Sequence, residues 1–565
     1  MPRTLITSAL PYINGIKHLG NLVGSQLPAD VYARYLRLRD HEVLFICATD
    51  EHGTPAELAA AEAGLDVAEY CAQQHKLQAD ISVQFGLSFD HFGRSSSAQN
   101  EELTRHFAER LRDNDMLEER VTTQVYSLDD GRFLPDRYII GTCPHCGYER
   151  ARGDQCENCG RLLEPAQLLN ARSAISGSSN FENRPTKHLF IRQSRMADRI
   201  REWIETKRDW PVLVTSIAQN WLQAGLEDRS ITRDLKWGFP VGWPGFEDKV
   251  FYVWFDAPIE YLGATKEWAD LDPAGRDWRS WWFDAGDVRY VQFMGKDNIP
   301  FHTINFPVTI FGSAEPWKVV DYIKGFNYLT YYGGKYSTSE HRGVFMDDAI
   351  ALLPADYWRY ALLANAPESD DAEFTWESFA LLVNKDLAGI FGNFVQRTFK
   401  LTQSRFGAVI PEGGEWGEEE RRLAAGVDEA LRAFAAEMEG LRYRQAAFAL
   451  RTLWTQGNLY LDRTAPWAEQ DQGRLACILR TALNLARIEA VVSTPFVPFA
   501  AERLARDLGL MAGEQAWPGT VAEELVRLQP GRPFLPGDAL FPRIADKSNL
   551  ADWVRQMEAR FGGRD

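Results

Sequence analysis

Thr4-Leu5-Ile6-Thr7-Ser8-Ala9-Leu10-Pro11-Tyr12-Ile13-Asn14-Gly15-Ile16-Lys17-His18-Leu19-Gly20-Asn21 is the stretch that decides how the chain folds. An apolar run breaks at a turn rich in Pro, Asn and Gly, then gives way to His-Leu-Gly-Asn at the head of a helical pattern. Leu27, Val31, Tyr35 and Leu38 recur at helical spacing, and a second apolar run, Val43 to Cys47, ends in Thr49-Asp50-Glu51-His52-Gly53. This is a strand–helix–strand unit, the opening of a parallel α/β sheet. Such sheets bind ligands beyond the carboxyl ends of their strands, where helix N-termini offer free N–H groups to phosphate. His18 and Asp50 both fall at that edge. Gly20 lets a nucleotide approach the backbone. His18 and Asn21 supply donors for charge building on a phosphate under attack.

With 565 residues the chain exceeds one core and predicts two to four domains. No apolar run approaches the roughly 18 residues of a membrane helix. The N-terminus lacks the basic and apolar regions of a secretion signal, so the expected compartment is the cytoplasm. A net charge of −17 argues against diffuse nucleic-acid binding and leaves room only for a local basic face. Of the seven Cys, four are clustered, which favours metal over disulfides.

The clustered cysteines read Cys143-Pro144-His145-Cys146-Gly147 and Cys156-Glu157-Asn158-Cys159-Gly160, a C-x2-C-x9-C-x2-C spacing. Two such knuckles bring four thiolates into a tetrahedron that suits Zn²⁺. A redox dithiol pair needs only one C-x2-C. Four thiolates leave no open position, so the ion is expected to be structural, and His145 is not needed as a ligand. Residues from about 116 to 230 interrupt the sheet begun at the N-terminus. Within them, Thr186 to Phe190 reads as the start of a strand, with His188 structural.

Upstream of that interruption, Glu57–Ala63 and Ala98–Asn114 read as helices, and Phe89–Ser97 as a polar loop. Downstream, the run Val250 to Phe255 reads as a strand that resumes the sheet, with Pro258 at its end or at the next helix start. Val288 to Met294 is another strand and leads into Gly295-Lys296-Asp297-Asn298, where Gly295 and Asp297 suit a ribose. After Asp321 to Phe326, the segment from Gly333 to Gly343 gathers glycines, hydroxyls and a cation, as a phosphate clamp would. From about residue 376 the strand signal ends. Helical patterns cover 377–404, 417–438, 441–463, 473–491 and 497–507, an all-α bundle, and a last helix is expected at 550–560. Asn393 and Arg397 are four apart, on one helical face. With Trp467 they can hydrogen-bond and stack unpaired bases.

His18-Leu19-Gly20-Asn21 resembles the first signature of class I aminoacyl-tRNA synthetases, with Asn at the final position. Taken with the knuckles, the clamp loop and the bundle, nearly the whole chain resembles the methionyl-tRNA synthetase family. That resemblance implies a Rossmann-like parallel sheet split by a zinc-containing connective insertion, followed by an all-α anticodon-binding domain. The implied division is 1–115 and 231–330 for the catalytic halves and 116–230 for the insertion. Residues 331–375 form the clamp and stem-contact region, 376–540 the anticodon domain, and 541–565 a C-terminal helix packing back on the body. It implies activation of methionine with ATP and its transfer to tRNA(Met), for initiation and elongation. The implied cofactors are one structural Zn²⁺ and Mg²⁺ with ATP; the partners are ATP, methionine and tRNA(Met), with no membrane. The resemblance places His18, Asn21 and Lys335 in catalysis and His18, Gly20, Asn21, Gly295, Asp297, Lys335, Ser337 and Thr338 at ATP. It places Ala9, Leu10, Tyr12, Asp50, Trp254, Ala257, Pro258, Tyr261, Asn298 and His302 around methionine, with Tyr12 and His302 as donors near the sulfur. Asn298 stands where the family also carries an apolar residue. Cys143, Cys146, Cys156 and Cys159 hold the metal; Asn393, Arg397 and Trp467 read the CAU anticodon.

One departure stands out. The family loop reads Lys-Met-Ser-Lys-Ser, whereas this chain has Lys335-Tyr336-Ser337-Thr338-Ser339. Arg342 is the expected substitute for the missing charge, in which case Arg342→Ala would slow activation far more than it weakened methionine binding. The chain carries no appended tRNA-binding domain of the kind that dimerises some members, so a monomer is expected. A class I enzyme for cysteine would hold its zinc on the sheet rather than in the insertion. An inactive tRNA-binding paralogue has only the altered loop in its favour.

Overall fold

The structure is a computed structural model that describes residues 2–562 apart from 154–155, 157–158, 160, 162, 164–166, 338–341 and 547. Five parallel strands form the central sheet: β1 (Arg3–Ser8), β2 (Glu42–Thr49), β3 (His91–Arg94), β4 (Val288–Gly295) and β5 (Tyr322–Phe326). Their order is β5-β4-β1-β2-β3, with every pairing parallel. The order reverses between β1 and β4, so the crevice at their carboxyl ends is the ligand position of a doubly wound sheet. Successive side chains point to opposite faces. Leu5, Leu44, Ile46, Tyr290 and Met294 join one apolar cluster, and Ile6, Phe45, Val291 and Phe293 join another. Burial on both faces explains why these strands read as continuous apolar runs.

The helix that leaves the first turn starts at Leu19, passes through a π turn over Leu22–Gln26, and continues as α1 (Leu27–Leu38). The insertion is built on a long antiparallel pair, Leu117–Ser127 with Phe181–Ile191. The knuckles lie beside a small sheet of Ile139–Thr142, Ala151–Arg152 and Leu169–Ser173. His188 is structural: it is buried, with Nδ1 3.0 Å from Thr232 Oγ1 and Nε2 3.0 Å from Asp234.

Two expectations fail here. Phe89–Ser97 is not simply a polar loop, because it contains the edge strand β3. With only four residues and partly exposed side chains it leaves no periodic signal. The run from Val250 to Phe255 does not rejoin the sheet. Only Val250–Phe251 is extended, paired antiparallel with Thr232–Arg233, and helix α2 (Val253–Asp270) begins at once. A short apolar helix start and a buried strand have the same apolar pattern. Pro258 lies inside α2 rather than at a boundary. It therefore removes the bond that would have reached the Trp254 carbonyl.

The C-terminal half is a helix bundle of α3 (Asn393–Phe406), α4 (Glu418–Glu439), α5 (Tyr443–Thr464), α6 (Gln472–Ser493) and α7 (Pro498–Asp507). A π segment, Asn384–Gly392, precedes α3. The last helix, α8 (Leu550–Phe561), packs back on the body, with Phe561 and Trp553 against Trp376. The bundle core is continuous with the Ile6/Phe45 face of the sheet.

At the junction Arg359 and Asp30 form an ion pair of 2.6 Å with both side chains fully buried. Arg359 also donates to the carbonyls of Phe85, Gly86, Pro495 and Phe496. Asp30 also accepts from Arg34 and from the Ser88 amide and hydroxyl. Burial pushes the Asp30 carboxyl up, but Arg359, Arg34 and Ser88 together hold it below the usual range. Arg359→Met leaves that carboxylate buried with only part of its compensation, at a cost of about 3–5 kcal/mol. The expected result is a lowered urea midpoint, partly recovered by adding Asp30→Asn. An unchanged midpoint would show that the pair does not hold the junction.

Candidate active site

At the switch point between β1 and β4 lies a cleft of about 550 Å³. Its wall contains Ala9, Leu10, Tyr12, His18, Gly20, Asn21, Asp50, Trp254, Ala257, Pro258, Tyr261, Gly295, Asp297, Asn298, His302 and Lys335. Residues expected at methionine and at ATP are thus brought together from five separate stretches of chain. Ser337 is not part of the wall; its backbone pairs with Arg342. Thr338 lies outside the described residues.

His18 is the N-cap of the helix that starts at Leu19. Its Nδ1 accepts from the Asn21 amide at 3.2 Å, while Asn21 Oδ1 accepts from the His18 amide at 3.3 Å. With Nδ1 accepting, the ring proton sits on Nε2. Burial and the neighbouring Lys17 push the imidazolium down to about 3, so the ring is a neutral donor at physiological pH. Helix N–H groups and the positive end of the helix dipole add to it. Gly20 has a reason nearer than the nucleotide: a Cβ there would stand 3.0 Å from His18 Nδ1 and 3.6 Å from the Tyr336 ring. Tyr336, from the clamp loop, stacks on His18 with centroids 4.8 Å apart.

Asp50 follows β2 and is 7% exposed, and its Oδ1 has no hydrogen-bond partner. Burial, then the Asp256 and Glu51 carboxylates, push its pKa well above the ordinary range, against Lys17. A buried carboxylate oxygen without a donor is an incomplete site. An ammonium group completes it and reverses the shift.

Trp254 is 38% exposed on the cleft and meets Phe301 edge-on at 4.8 Å, so it is not a core residue. Tyr261 and His302 are buried behind it. His302 Nδ1 lies 2.9 Å from the Asn298 carbonyl, which can only accept, so Nδ1 carries the proton. Nε2 then accepts from the Tyr261 hydroxyl at 2.8 Å. Burial pushes His302 down to about 4 and keeps the ring neutral. This corrects the expectation that His302 donates to the substrate sulfur, because its single proton is already committed. Asn298 contributes through its backbone carbonyl as well as its position on the wall.

Arg342 does not line the cleft. Its guanidinium donates to the Tyr331 carbonyl at 3.2 Å and covers Gly334, which takes away the expected substitute charge. Lys335 is exposed on the clamp side of the wall. Among the wall residues that the sequence reading did not place at the cleft are Lys17, Phe301, Tyr336 and Cys156.

Cys156 brings the knuckles to the cleft. The four Sγ atoms lie within 4.8 Å of one another, with Cys143–Cys159 at 3.9 Å and Cys146–Cys156 at 3.6 Å. Four thiolates bound tetrahedrally at about 2.3 Å would stand about 3.8 Å apart, so this cluster fits a metal ion. His145 faces Arg161 instead.

On the bundle, Asn393 Nδ2 donates to Asn458 Oδ1 at 2.9 Å, and Arg397 reaches Asn458 and Asp462. The Arg397 guanidinium lies 5.2 Å from the centre of the Trp467 ring, which is 48% exposed. The three expected anticodon residues therefore share one face, ordered by Asn458 from α5.

The sequence model of the class I tRNA synthetases (M) matches residues 4–399. The chain belongs to that family. The anticodon binding domain of methionyl tRNA ligase matches residues 410–565. A methionine–tRNA ligase of Cereibacter sphaeroides (strain ATCC 17025) is 58% identical, with 100% of both chains covered. One from Caulobacter sp. (strain K31) is also 58% identical at the same coverage. The structure of Mycobacterium tuberculosis methionyl-tRNA synthetase in complex with methionyl-adenylate shares the fold, with a TM-score of 0.76 at 24% identity, covering 96% of this chain and 100% of that one.

If Asp50 is the ammonium site, Asp50→Asn raises the KM for methionine on the order of 10²–10⁴-fold, the equivalent of losing about 3–5 kcal/mol from a buried pair. The KM for ATP changes little. Steady-state exchange kinetics check this, and an unaltered methionine KM would move the ammonium elsewhere.

Proposed function

We propose that the chain activates methionine with ATP and transfers it to tRNA(Met), with each step assigned to the residues just described. The observation that carries this reading is the unpaired buried carboxylate of Asp50, set between an aromatic pocket and a neutral His18 at a helix N-terminus. Asp50 takes the substrate ammonium. Ala9, Leu10, Tyr12, Trp254, Ala257, Pro258, Tyr261, Asn298 and His302 surround its side chain. A thioether is polarisable and favours aromatic edges. The fixed Tyr261–His302–Asn298 chain gives that pocket a set shape, and discrimination against leucine rests on it.

The methionine carboxylate attacks the α-phosphate in line and pyrophosphate leaves. The adenylate then acylates the terminal ribose of the tRNA. No protein nucleophile is required, because the substrate carboxylate serves. The protein supplies position and charge stabilisation. His18 Nε2–H and Asn21 hold phosphate oxygens, Gly20, Gly295 and Asp297 seat the adenosine, and Lys335 meets the leaving pyrophosphate. Mg²⁺ arrives with ATP as part of the substrate. Cys143, Cys146, Cys156 and Cys159 hold one Zn²⁺, which would shape the cleft wall through Cys156 and take no part in the reaction.

Asn393, Arg397 and Trp467 read the CAU anticodon by hydrogen bonding and stacking, in the service of both initiation and elongation. The division into 1–115, 116–230, 231–330, 331–375, 376–540 and 541–565 follows these tasks. The expected setting is a cytoplasmic monomer.

ATP–pyrophosphate exchange with each of the twenty amino acids, without tRNA, tests the reading. Exchange dependent on methionine alone is expected. Exchange with another amino acid would overturn the substrate assignment. No exchange by folded, metal-loaded protein would favour an inactive paralogue.

A further inference from the structure

Lys17 immediately precedes His18 and is 7% exposed in the cleft wall. Its Nζ donates to Asn14 Oδ1 at 3.1 Å. Among the described residues no carboxylate lies within 4 Å of it. A buried ammonium is costly unless a negative group compensates it, and a single neutral amide does not. Asp50, on the same cleft, is a buried carboxylate with an unpartnered oxygen. Two opposite charges stand apart in one cavity instead of pairing, which is the arrangement a zwitterion and a phosphate can bridge. Of the two lysines on the wall, Lys335 is exposed; His18 is neutral, and Arg342 is turned back onto the loop. Burial pushes the Lys17 ammonium down to about 7, with Asp50 acting the other way. The negative oxygens of bound ATP would hold its proton in place.

We propose that Lys17 is a further catalytic residue, whose ammonium donates to the negative oxygens shared by the methionine carboxylate and the α-phosphate as the adenylate forms. A carboxylate oxygen lone pair makes the new bond to the α-phosphorus. The bond from that phosphorus to the bridging oxygen breaks, and its electron pair leaves with pyrophosphate. No proton moves, so Lys17 remains an ammonium throughout and is worth most where charge accumulates. The role deepens the methionine-activation reading and rests on it.

The test is single-turnover adenylate formation by the full-length, metal-loaded enzyme, with methionine affinity read separately from tryptophan fluorescence. Lys17→Met keeps the stem and removes the charge. It is expected to slow adenylate formation on the order of 10²-fold at saturating substrates, while the methionine Kd rises less than about fivefold by the same criterion of transition-state selectivity. Lys17→Gln, which keeps a donor for Asn14 without the charge, is expected to behave alike and covers a failure of Lys17→Met to fold. Adding Thr338→Lys, a second cation on the loop of Lys335, is expected to recover part of the lost rate, which a packing defect would not. A rate within threefold of wild type in either folded variant overturns the proposal, as does a deficit that saturating substrates abolish. Wild-type enzyme without methionine-dependent exchange defeats the underlying reading instead.

Discussion

The buried Arg359–Asp30 pair is the constraint on which the arrangement of the two halves depends. Its five donor contacts run to α1, to the turn at Phe85–Gly86, and to the turn at Pro495–Phe496 between α6 and α7. A planar guanidinium presents its donors in a fixed fork, so these segments are set at mutual angles as well as distances. A hydrophobic junction of the same volume would be at least as stable, but it would tolerate sliding. Here α1 leads back to His18, and α6 and α7 belong to the bundle that carries Asn393 and Arg397. One ion pair therefore ties the orientation of the cleft to that of the face that carries Asn393 and Arg397.

The cleft follows the opposite rule. At the junction Arg359 and Asp30 compensate each other directly, whereas in the cleft Asp50 and Lys17 are buried without a charged partner in contact. The histidines are neutralised by burial and committed by hydrogen bonds, each in a single tautomer. The site is thus preorganised for ligands that bring both signs of charge. Tyr336 stacked on His18 couples this polar floor to the clamp loop. Cys156 couples it to the four-cysteine cluster of the insertion.

Much of this was legible from residue order. The strand–helix–strand opening, the knuckle spacing and the Asn393/Arg397 pair are local patterns, and local geometry converts them directly into structure. The strand β3 and the short extension at Val250–Phe251 were not legible, because pairing with neighbours defines them more than any pattern of their own. The tautomer of His302 depends on a carbonyl four residues back and on a hydroxyl from α2, and no motif encodes both. Lys17 was in plain view, but lysine is ordinarily solvated, and only the wrap of Met346 and the neighbouring turn shows it to be enclosed. Its backbone carbonyl accepts from the Met346 amide. Tyr336 and Asn458 reach their partners across long stretches of chain.

Among the described residues, three π segments punctuate the helices: Leu22–Gln26, Phe301–Asn305 and Asn384–Gly392. The first follows Asn21, the second contains His302, and the third runs directly into Asn393. A π turn is a helix holding a surplus residue, and such turns recur at functional sites. The surplus residue is taken up inside the turn, so the regular helix on either side stays in phase. Removing one residue there would close the turn into an ordinary α turn. The faces beyond it would keep their direction, and only the side chains of the turn itself would be re-aimed. A single-codon deletion would therefore be felt beside Asn21, at His302 or beside Asn393, and scarcely in the rest of the helix.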